Sequence, residues 1–163
     1  MEHLHIRTAR PADLTACAAI ESACFPPEQA ASLEDLRQRL AAYPDHILVG
    51  ERQGAIAGYI MGPVIGQPYI EDNMFTDPGC HDPSGPYQSV FSLAVLPAFQ
   101  HRGLGGQLIR AMADLARREG RRAVTLTCLD SKVGYYAAFG FQDHGVGSSV
   151  HGGVPWHNML LEL

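Results

Sequence analysis

The chain has 163 residues, a length that suits one domain and leaves no room for a second of ordinary size. Hydrophobic residues make up 46% and charged residues 18% of the chain, which excludes disordered, coiled-coil and linker-like proteins. Twelve Lys and Arg against 17 Asp and Glu give a net charge of −5, so we expect no nucleic-acid partner, because phosphate neutralisation needs a basic surface.

The cysteines and the apolar runs exclude further classes of protein. The four cysteines lie far apart and form no Cys-x-x-Cys pair, which predicts neither a zinc cluster nor a disulfide framework. No basic stretch leads into an apolar core at the N-terminus, and the apolar runs are well short of the roughly 18 residues that a membrane span needs. We therefore expect a cytoplasmic protein with no membrane partner.

The alternation and spacing of apolar residues predict one strand, two helices and a hairpin in the first part of the chain. The strand lies at residues 4–8, the first helix between Pro11 and Phe25, and the second helix between Ser32 and Pro44. The two strands of the hairpin lie at residues 47–51 and 55–64. Pro26 and Pro27 follow the first helix and end it. Ser32 and Asp35 resemble a capping box at the start of the second, with Asp in place of the usual Glu or Gln.

The second part of the chain opens on a loop at residues 66–86, which is longer than compact domains usually carry without a functional reason. A buried strand at residues 90–95 and a long helix from Leu104 to Gly120 follow. After them come a strand at residues 124–128, a short helix at residues 132–139, and two strands at residues 141–146 and 154–161. The order β-α-α-β-β-β-α-β-α-β-β predicts a mixed α/β fold and a single domain over residues 1–163.

The segment from the buried strand to the long helix carries the most informative motif, Gln100-His101-Arg102-Gly103-Leu104-Gly105-Gly106. The first backbone N–H groups of a helix have no intrahelical acceptor and lie at the positive end of its dipole. Glycines let a large anion approach those donors, so this turn suits a pyrophosphate. It lacks the Lys of a Walker loop and the third glycine of a dinucleotide fingerprint. A glycine-rich helix start used only for packing is the alternative.

This segment resembles the Gcn5-related N-acetyltransferase (GNAT) superfamily, whose signature Gln/Arg-x-x-Gly-x-Gly/Ala matches Gln100 to Gly105 at each defined position. The resemblance implies that the loop amides hold the pyrophosphate of acetyl-CoA. It also implies a splayed central strand whose backbone pairs with the pantetheine arm. The cofactor-binding residues that it implies are Leu93, Val95, Gln100, Arg102, Gly103, Leu104, Gly105 and Gly106.

A second patch is similar to the arylalkylamine N-acetyltransferase branch of that superfamily. Cys128 and the Tyr-x-x-Phe-Gly-Phe ending at residues 136–141 carry this resemblance. It implies that Tyr136 is the general acid, because a phenol with an ordinary pKa near ~10 is protonated at neutral pH and can give its proton to the departing thiolate. A packing role for this aromatic ring is the alternative.

Ser89 and Phe91 stand where the animal arylalkylamine enzymes have two His that relay a proton. Phe91 cannot accept a proton, and Ser89 can do so only as part of a water chain. The base therefore lies elsewhere, or water carries the proton away unaided. The candidate bases are Glu21, His81, His144 and His151, of which we favour His151 because the turn at residues 151–153 can face the acceptor pocket.

The sequence thus predicts an acetyl-CoA-dependent N-acetyltransferase that acts on a small primary amine by direct attack in a ternary complex. No metal is expected, because the eight His show no His-x3-His or His-Glu-x-x-His spacing. The alternatives are an acetyltransferase for proteins or peptides and a non-catalytic acyl-CoA-binding module. The protein is expected to be a monomer or a homodimer.

Overall fold

The computed structural model describes residues 3–163, apart from the side chain of His151. The chain divides into two units, one of residues 3–62 and 92–112 and the other of residues 63–91 and 113–163. Within the described residues no helix has the length and apolar character needed to cross a membrane. One catalytic domain over residues 1–163 stays a prediction.

Four helices and nine strands make up the regular structure of residues 3–163, with short 3-10 turns between them. In chain order they are β1 (His5–Thr8), α1 (Leu14–Cys24), α2 (Leu33–Ala42), β2 (Ile47–Arg52), β3 (Ala55–Met61), β4 (Val64–Ile65), β5 (Tyr87–Val90), β6 (Ser92–Val95), α3 (Leu104–Arg118), β7 (Ala123–Cys128), α4 (Val133–Ala137), β8 (Gln142–Val146) and β9 (His157–Glu162).

The first unit is an antiparallel sheet in the order β1-β2-β3-β6, with α1 and α2 packed against it. The apolar faces of these helices and strands form one buried core, which includes Leu14, Cys17, Ile20, Leu36, Val49, Tyr59, Met61 and Ala94. The predicted capping box is confirmed, because the Asp35 N–H donates to Ser32 Oγ and the Ser32 N–H donates to Asp35 Oδ2.

The second unit is a sheet in the order β4-β5-β7-β9-β8. The pair β5 and β7 is parallel, with Tyr87 opposite Ala123, and the other pairs are antiparallel. Its core holds Ile65, Ile70, Met74, Tyr87, Ala123 and Leu160. The long loop at residues 66–86 is ordered into two 3-10 turns, Asp72–Thr76 and Pro78–Cys80.

Two strands that the sequence predicts as continuous are each broken in the structure. The strand predicted at residues 55–64 ends at Met61, because Pro63 has no N–H to continue the ladder. The strand predicted at residues 90–95 begins at Tyr87 and breaks at Phe91. Residues 87–90 pair with β7 whereas residues 92–95 pair with β3, so the splayed central strand and the mixed α/β class are confirmed.

Gly58 permits the close approach of β3 and β6, and we expect Gly58→Ala to destabilise the first unit. A Cβ at this position would lie 2.7 Å from the Ala94 carbonyl oxygen and 3.3 Å from Leu108 Cδ1. Because backbone must move to make room, the free energy of unfolding should fall by about 1–3 kcal/mol. Urea denaturation measures this change.

Gly134→Ala is the matched control, because a Cβ there meets no atom within 4 Å and the residue lies in α4. Its free energy of unfolding should stay the same or rise by up to ~1 kcal/mol, since Ala favours a helix over Gly. An equal loss of stability in both variants would contradict the role given to Gly58.

Candidate active site

Strand β6 forms one edge of the first unit's sheet and turns two backbone amides toward that edge. The Leu96 N–H donates to the Ala57 carbonyl oxygen over 2.8 Å, so the even-numbered amides at this end point toward β3. Because successive N–H groups alternate along a strand, the Leu93 and Val95 amides point the other way. They are the two strand positions that the sequence predicts as cofactor contacts.

The carbonyl oxygen of Val95 is held by two side chains of the same unit. Gln100 Nε2 donates to it over 2.9 Å, and Cys24 Sγ donates to it over 3.2 Å. Burial raises the pKa of the Cys24 thiol, which keeps its proton available for this bond. Gln100 therefore fixes the end of β6 through its side chain, and a direct contact between Gln100 and a coenzyme stays a prediction.

The loop between β6 and α3 has an unusual backbone, in which His101 and Gly103 have φ angles of 64° and 79°. A Cβ on Gly103 would meet no atom within 4 Å, so the space beside this residue is open. The Gln107 N–H donates to the Gly103 carbonyl oxygen over 3.3 Å. The amides of Leu104, Gly105 and Gly106 precede this first helical bond and have no intrahelical acceptor.

The charges around this loop favour an anion. The loop amides lie at the positive end of α3, a helix of 15 residues, where the dipole adds to the attraction. The guanidinium groups of Arg52 and Arg102 lie 4.6 Å and 5.6 Å from the centroid of the Phe99 ring. Arg102 is exposed and belongs to the predicted cofactor-binding residues, whereas Arg52 was not predicted to lie near this loop.

A buried polar cluster lies behind β6 and centres on Glu21, one of the predicted candidate bases. Glu21 Oε2 accepts hydrogen bonds from Tyr59 Oη and from Ser92 Oγ, the latter over 2.9 Å. Glu21 Oε1 accepts a hydrogen bond from the Ala31 N–H over 3.0 Å. Burial raises the pKa of Glu21, and its hydrogen bonds and Arg39 oppose that rise. The sequence analysis missed Ser92, although a polar residue on a buried strand is a signal of such a cluster.

Ser89 and Tyr136 lie in the second unit. The Ser89 side chain is fully buried and donates from Oγ to the Pro63 carbonyl oxygen over 2.5 Å, which favours a structural use of this hydroxyl. The half-buried Tyr136 ring packs edge-on against Tyr135 and Phe141. Burial raises the pKa of the Tyr136 phenol, and the nearby Tyr135 and Cys128 raise it further. Tyr136 is therefore protonated at neutral pH, as a general acid must be.

The structure gives different surroundings to the three histidines considered as bases. His81 Nδ1 accepts a hydrogen bond from the Val64 N–H over 3.0 Å, so this nitrogen already has a structural use. His144 Nδ1 lies 2.8 Å from Tyr69 Oη at an exposed position. The backbone of His151 lies in the turn His151–Gly153, and its side chain lies outside the described atoms. Among the described residues no group of three metal-ligating side chains is present.

Comparison with known proteins gives the chain its family. The model of the acetyltransferase (GNAT) family matches residues 14–141, which is most of the chain. Serotonin N-acetyltransferase of Mesocricetus auratus is 27% identical over 132 residues, a stretch that covers 80% of this chain and 62% of that protein. The chain thus spans less than two thirds of the length of this curated relative.

Solved structures that resemble the chain over nearly its whole length include two with a bound acyl-CoA. The GNAT-like decarboxylase GphF in complex with isobutyryl-CoA has a TM-score of 0.85 and 25% identity, and the match covers 97% of this chain and 98% of that one. A GNAT family acetyltransferase of Brucella melitensis in complex with acetyl-CoA has a TM-score of 0.64 and 25% identity, over 100% of this chain and 90% of that one. The chain therefore belongs to the acetyltransferase (GNAT) family.

Proposed function

We propose that this protein is an acetyl-CoA-dependent N-acetyltransferase that transfers an acetyl group to a small primary amine. The outward amides of Leu93 and Val95, continuous with the open glycine loop at the start of α3, are the observation that carries this proposal. A strand edge followed by a helix N-terminus suits an extended ligand with an amide-containing arm and a diphosphate. Acetyl-CoA and other acyl-CoA thioesters have this chemistry.

Each part of this surface has a separate task in the proposed reaction. The amides of Gly103 to Gly106 hold the diphosphate, and Arg102 adds a positive charge beside it. The amides of Leu93 and Val95 hold the pantetheine arm, and an amide of this strand stabilises the oxyanion that forms when the amine attacks the thioester carbonyl. Holding amine and thioester together supplies much of the acceleration.

Tyr136 as the acid for the departing thiolate, with His151 and Ser89 as participants in proton transfer, stays part of the proposal. The Tyr136 phenol is protonated at neutral pH, as this assignment requires, although its raised pKa makes it a weaker acid than an ordinary tyrosine. The hydrogen bond from Ser89 to the Pro63 carbonyl oxygen favours the alternative, in which this serine only holds β5 in place.

The likeness to a serotonin N-acetyltransferase supports an arylalkylamine as the acceptor. Phe25 follows α1 and packs against the core of the first unit, so an apolar group is present near the connection of α1 and α2. The proposed acceptor is therefore a primary amine that carries an aromatic group. A cytoplasmic location and a monomeric or homodimeric state complete the proposal.

Decarboxylation of an acyl-CoA is a second candidate function, and the likeness to a GNAT-like decarboxylase favours it. A malonyl-type thioester, whose carboxylate is on the carbon next to the thioester carbonyl, loses carbon dioxide to give an enolate, which an oxyanion-stabilising amide can hold and an acid can protonate. This reaction needs no base for an amine. Phe91 and the buried Ser89, at the two positions of the His pair, are compatible with it.

Direct assays separate these functions. We expect acetyl-CoA to raise the melting temperature and arylalkylamines to release free thiol from it, because the proposed site binds the coenzyme and the amine is the acceptor. Ligand at about 100 times its Kd should add ~2.7 kcal/mol of stability. Thermal shift and thiol release are the two measurements.

The thiol-release assay also tests polyamines and peptides as acceptors. A separate assay incubates the protein with malonyl-CoA and no amine. Turnover only with peptides would favour the protein acetyltransferase, and carbon dioxide with acetyl-CoA from malonyl-CoA would favour the decarboxylase. Binding without turnover would indicate a non-catalytic module. The absence of any shift at millimolar acetyl-CoA would contradict the coenzyme site itself.

Gly103→Val should weaken acetyl-CoA binding at least ~10-fold, a loss of about 1.4 kcal/mol, because a side chain would fill the open space beside the loop amides. Gly120→Val is the matched control, since Gly120 has a φ of 76° against 79° for Gly103 and also meets no atom within 4 Å. Both variants should lose about 1–2 kcal/mol of stability from backbone strain. Equal acetyl-CoA affinity in the two variants, measured by calorimetry, would contradict the placement of the diphosphate.

Tyr136→Phe should lower kcat by about 10²–10⁴-fold and leave the Kd for acetyl-CoA nearly unchanged, because it removes only the proton that the thiolate takes. Tyr135→Phe is the control, since this neighbouring ring belongs to the same aromatic group. Steady-state kinetics and calorimetry measure both variants. An unchanged kcat for Tyr136→Phe would show that this ring serves packing alone.

A further inference from the structure

The surroundings of Glu21 are built for a carboxylate that gains and loses a proton. The group is 3% exposed and accepts hydrogen bonds from Tyr59 on β3, Ser92 on β6 and the Ala31 amide. Burying a carboxyl group costs free energy, and apolar residues of similar volume usually stabilise a core at least as well. A purely structural cluster therefore gains little from a carboxylate at this depth.

The position of the cluster relates it to the proposed coenzyme site. Ser92 is the first residue of β6, and the next residue, Leu93, presents its amide to the strand edge where the proposed site holds the thioester. The Ser92 hydroxyl donates to Glu21 over 2.9 Å and lies 3.5 Å from the Tyr59 hydroxyl. A hydrogen-bonded path thus runs from the start of β6 to a carboxylate on α1, entirely within the first unit.

We propose that Ser92 and Glu21 form a proton relay that deprotonates the acceptor amine, with Tyr59 holding the carboxylate in position. This proposal rests on the proposed acetyltransferase function and assigns its base to Glu21 instead of His151. An N–H bond of the substrate ammonium breaks as an O–H bond forms at Ser92, while the Ser92 proton passes to Glu21 Oε2. The nitrogen keeps the electron pair, the amine becomes a nucleophile, and Glu21 becomes a neutral acid that later returns its proton to solvent.

The charged and titratable groups around Glu21 set the pH range in which the relay works. From α2, Arg39 favours the carboxylate and Asp35 opposes it. From α1, Cys17 and Cys24 are neutral near pH 7, because burial raises the pKa of Cys17 to about 12 and that of Cys24 above its ordinary value. The balance leaves the pKa of Glu21 raised, so acetylation should fall as the pH drops through that value and the carboxylate becomes protonated.

Two acceptors with different proton demands test the relay. An arylalkylamine, whose ammonium has a pKa near ~10, must lose a proton before it attacks, whereas an aromatic amine such as aniline is already neutral at pH 7. Glu21→Gln and Ser92→Ala should lower kcat/KM for the arylalkylamine by about 10²–10³-fold. The rate with aniline should change by less than about threefold, because a neutral amine needs no base to remove a proton before it attacks. Glu21→Gln should also abolish the acidic limb of the pH–rate profile.

Glu28→Gln is the matched control, because Glu28 is an exposed carboxylate a short distance along the same segment. If Glu21→Gln lowers the rate equally with both acceptors, or leaves the acidic limb of the pH–rate profile unchanged, the relay is overturned and Glu21 is a structural residue. Unchanged rates in Ser92→Ala would exclude this serine as the group that touches the amine. Absence of turnover in the unmodified protein would instead overturn the proposed function, which distinguishes the two failures. Retained acetyl-CoA affinity confirms that the variants are folded.

Discussion

The free edge of β6 is the constraint on which the rest of the proposed site depends. A strand can offer main-chain donors to a ligand only if one of its edges is not paired within the sheet, and unpaired edges are normally covered or interrupted. Here the chain leaves the second unit's sheet at Phe91, so the last four residues of the segment, Ser92–Val95, pair with β3 alone in the first unit. Gln100 and Cys24 then fix the end of this edge by holding the Val95 carbonyl, and the glycine loop follows directly.

The sequence predicts those parts of the fold that local chemistry determines. The capping box of Ser32 and Asp35 and the glycine-rich start of α3 depend on residues a few positions apart, so their geometry follows from spacing. The breaks in the two predicted strands differ in this respect. Pro63 gave a usable signal, because proline cannot donate to a ladder, whereas Phe91 gives none. The strand breaks at Phe91 because the residues before it pair with β7 and the residues after it pair with β3.

The sequence offers Glu21 as a candidate base but does not show, for a related reason, that Tyr59 and Ser92 surround it. Glu21, Tyr59 and Ser92 come from a helix and two strands that are far apart in the chain, and each has an ordinary alternative use in isolation. Histidine is the natural candidate for a base, since its ordinary pKa lies near neutrality. The fold instead uses His81 to accept the Val64 amide, and it surrounds the Glu21 carboxylate with three donors, of which only Ser92 lies on the strand before the glycine loop.

Burial raises the pKa of both proposed proton-transfer groups, which strengthens Glu21 as a base and weakens Tyr136 as an acid. For Tyr136 the raised pKa keeps the phenol protonated at neutral pH, as the role requires, but makes it a weaker acid for the departing thiolate. For Glu21 burial raises the pKa above its ordinary value, and a carboxylate with a higher pKa is a stronger base for an ammonium. The Ser92 and Ala31 donors limit that rise, because each stabilises the ionised form. The donors therefore favour the carboxylate that a base must present, against the burial that disfavours it.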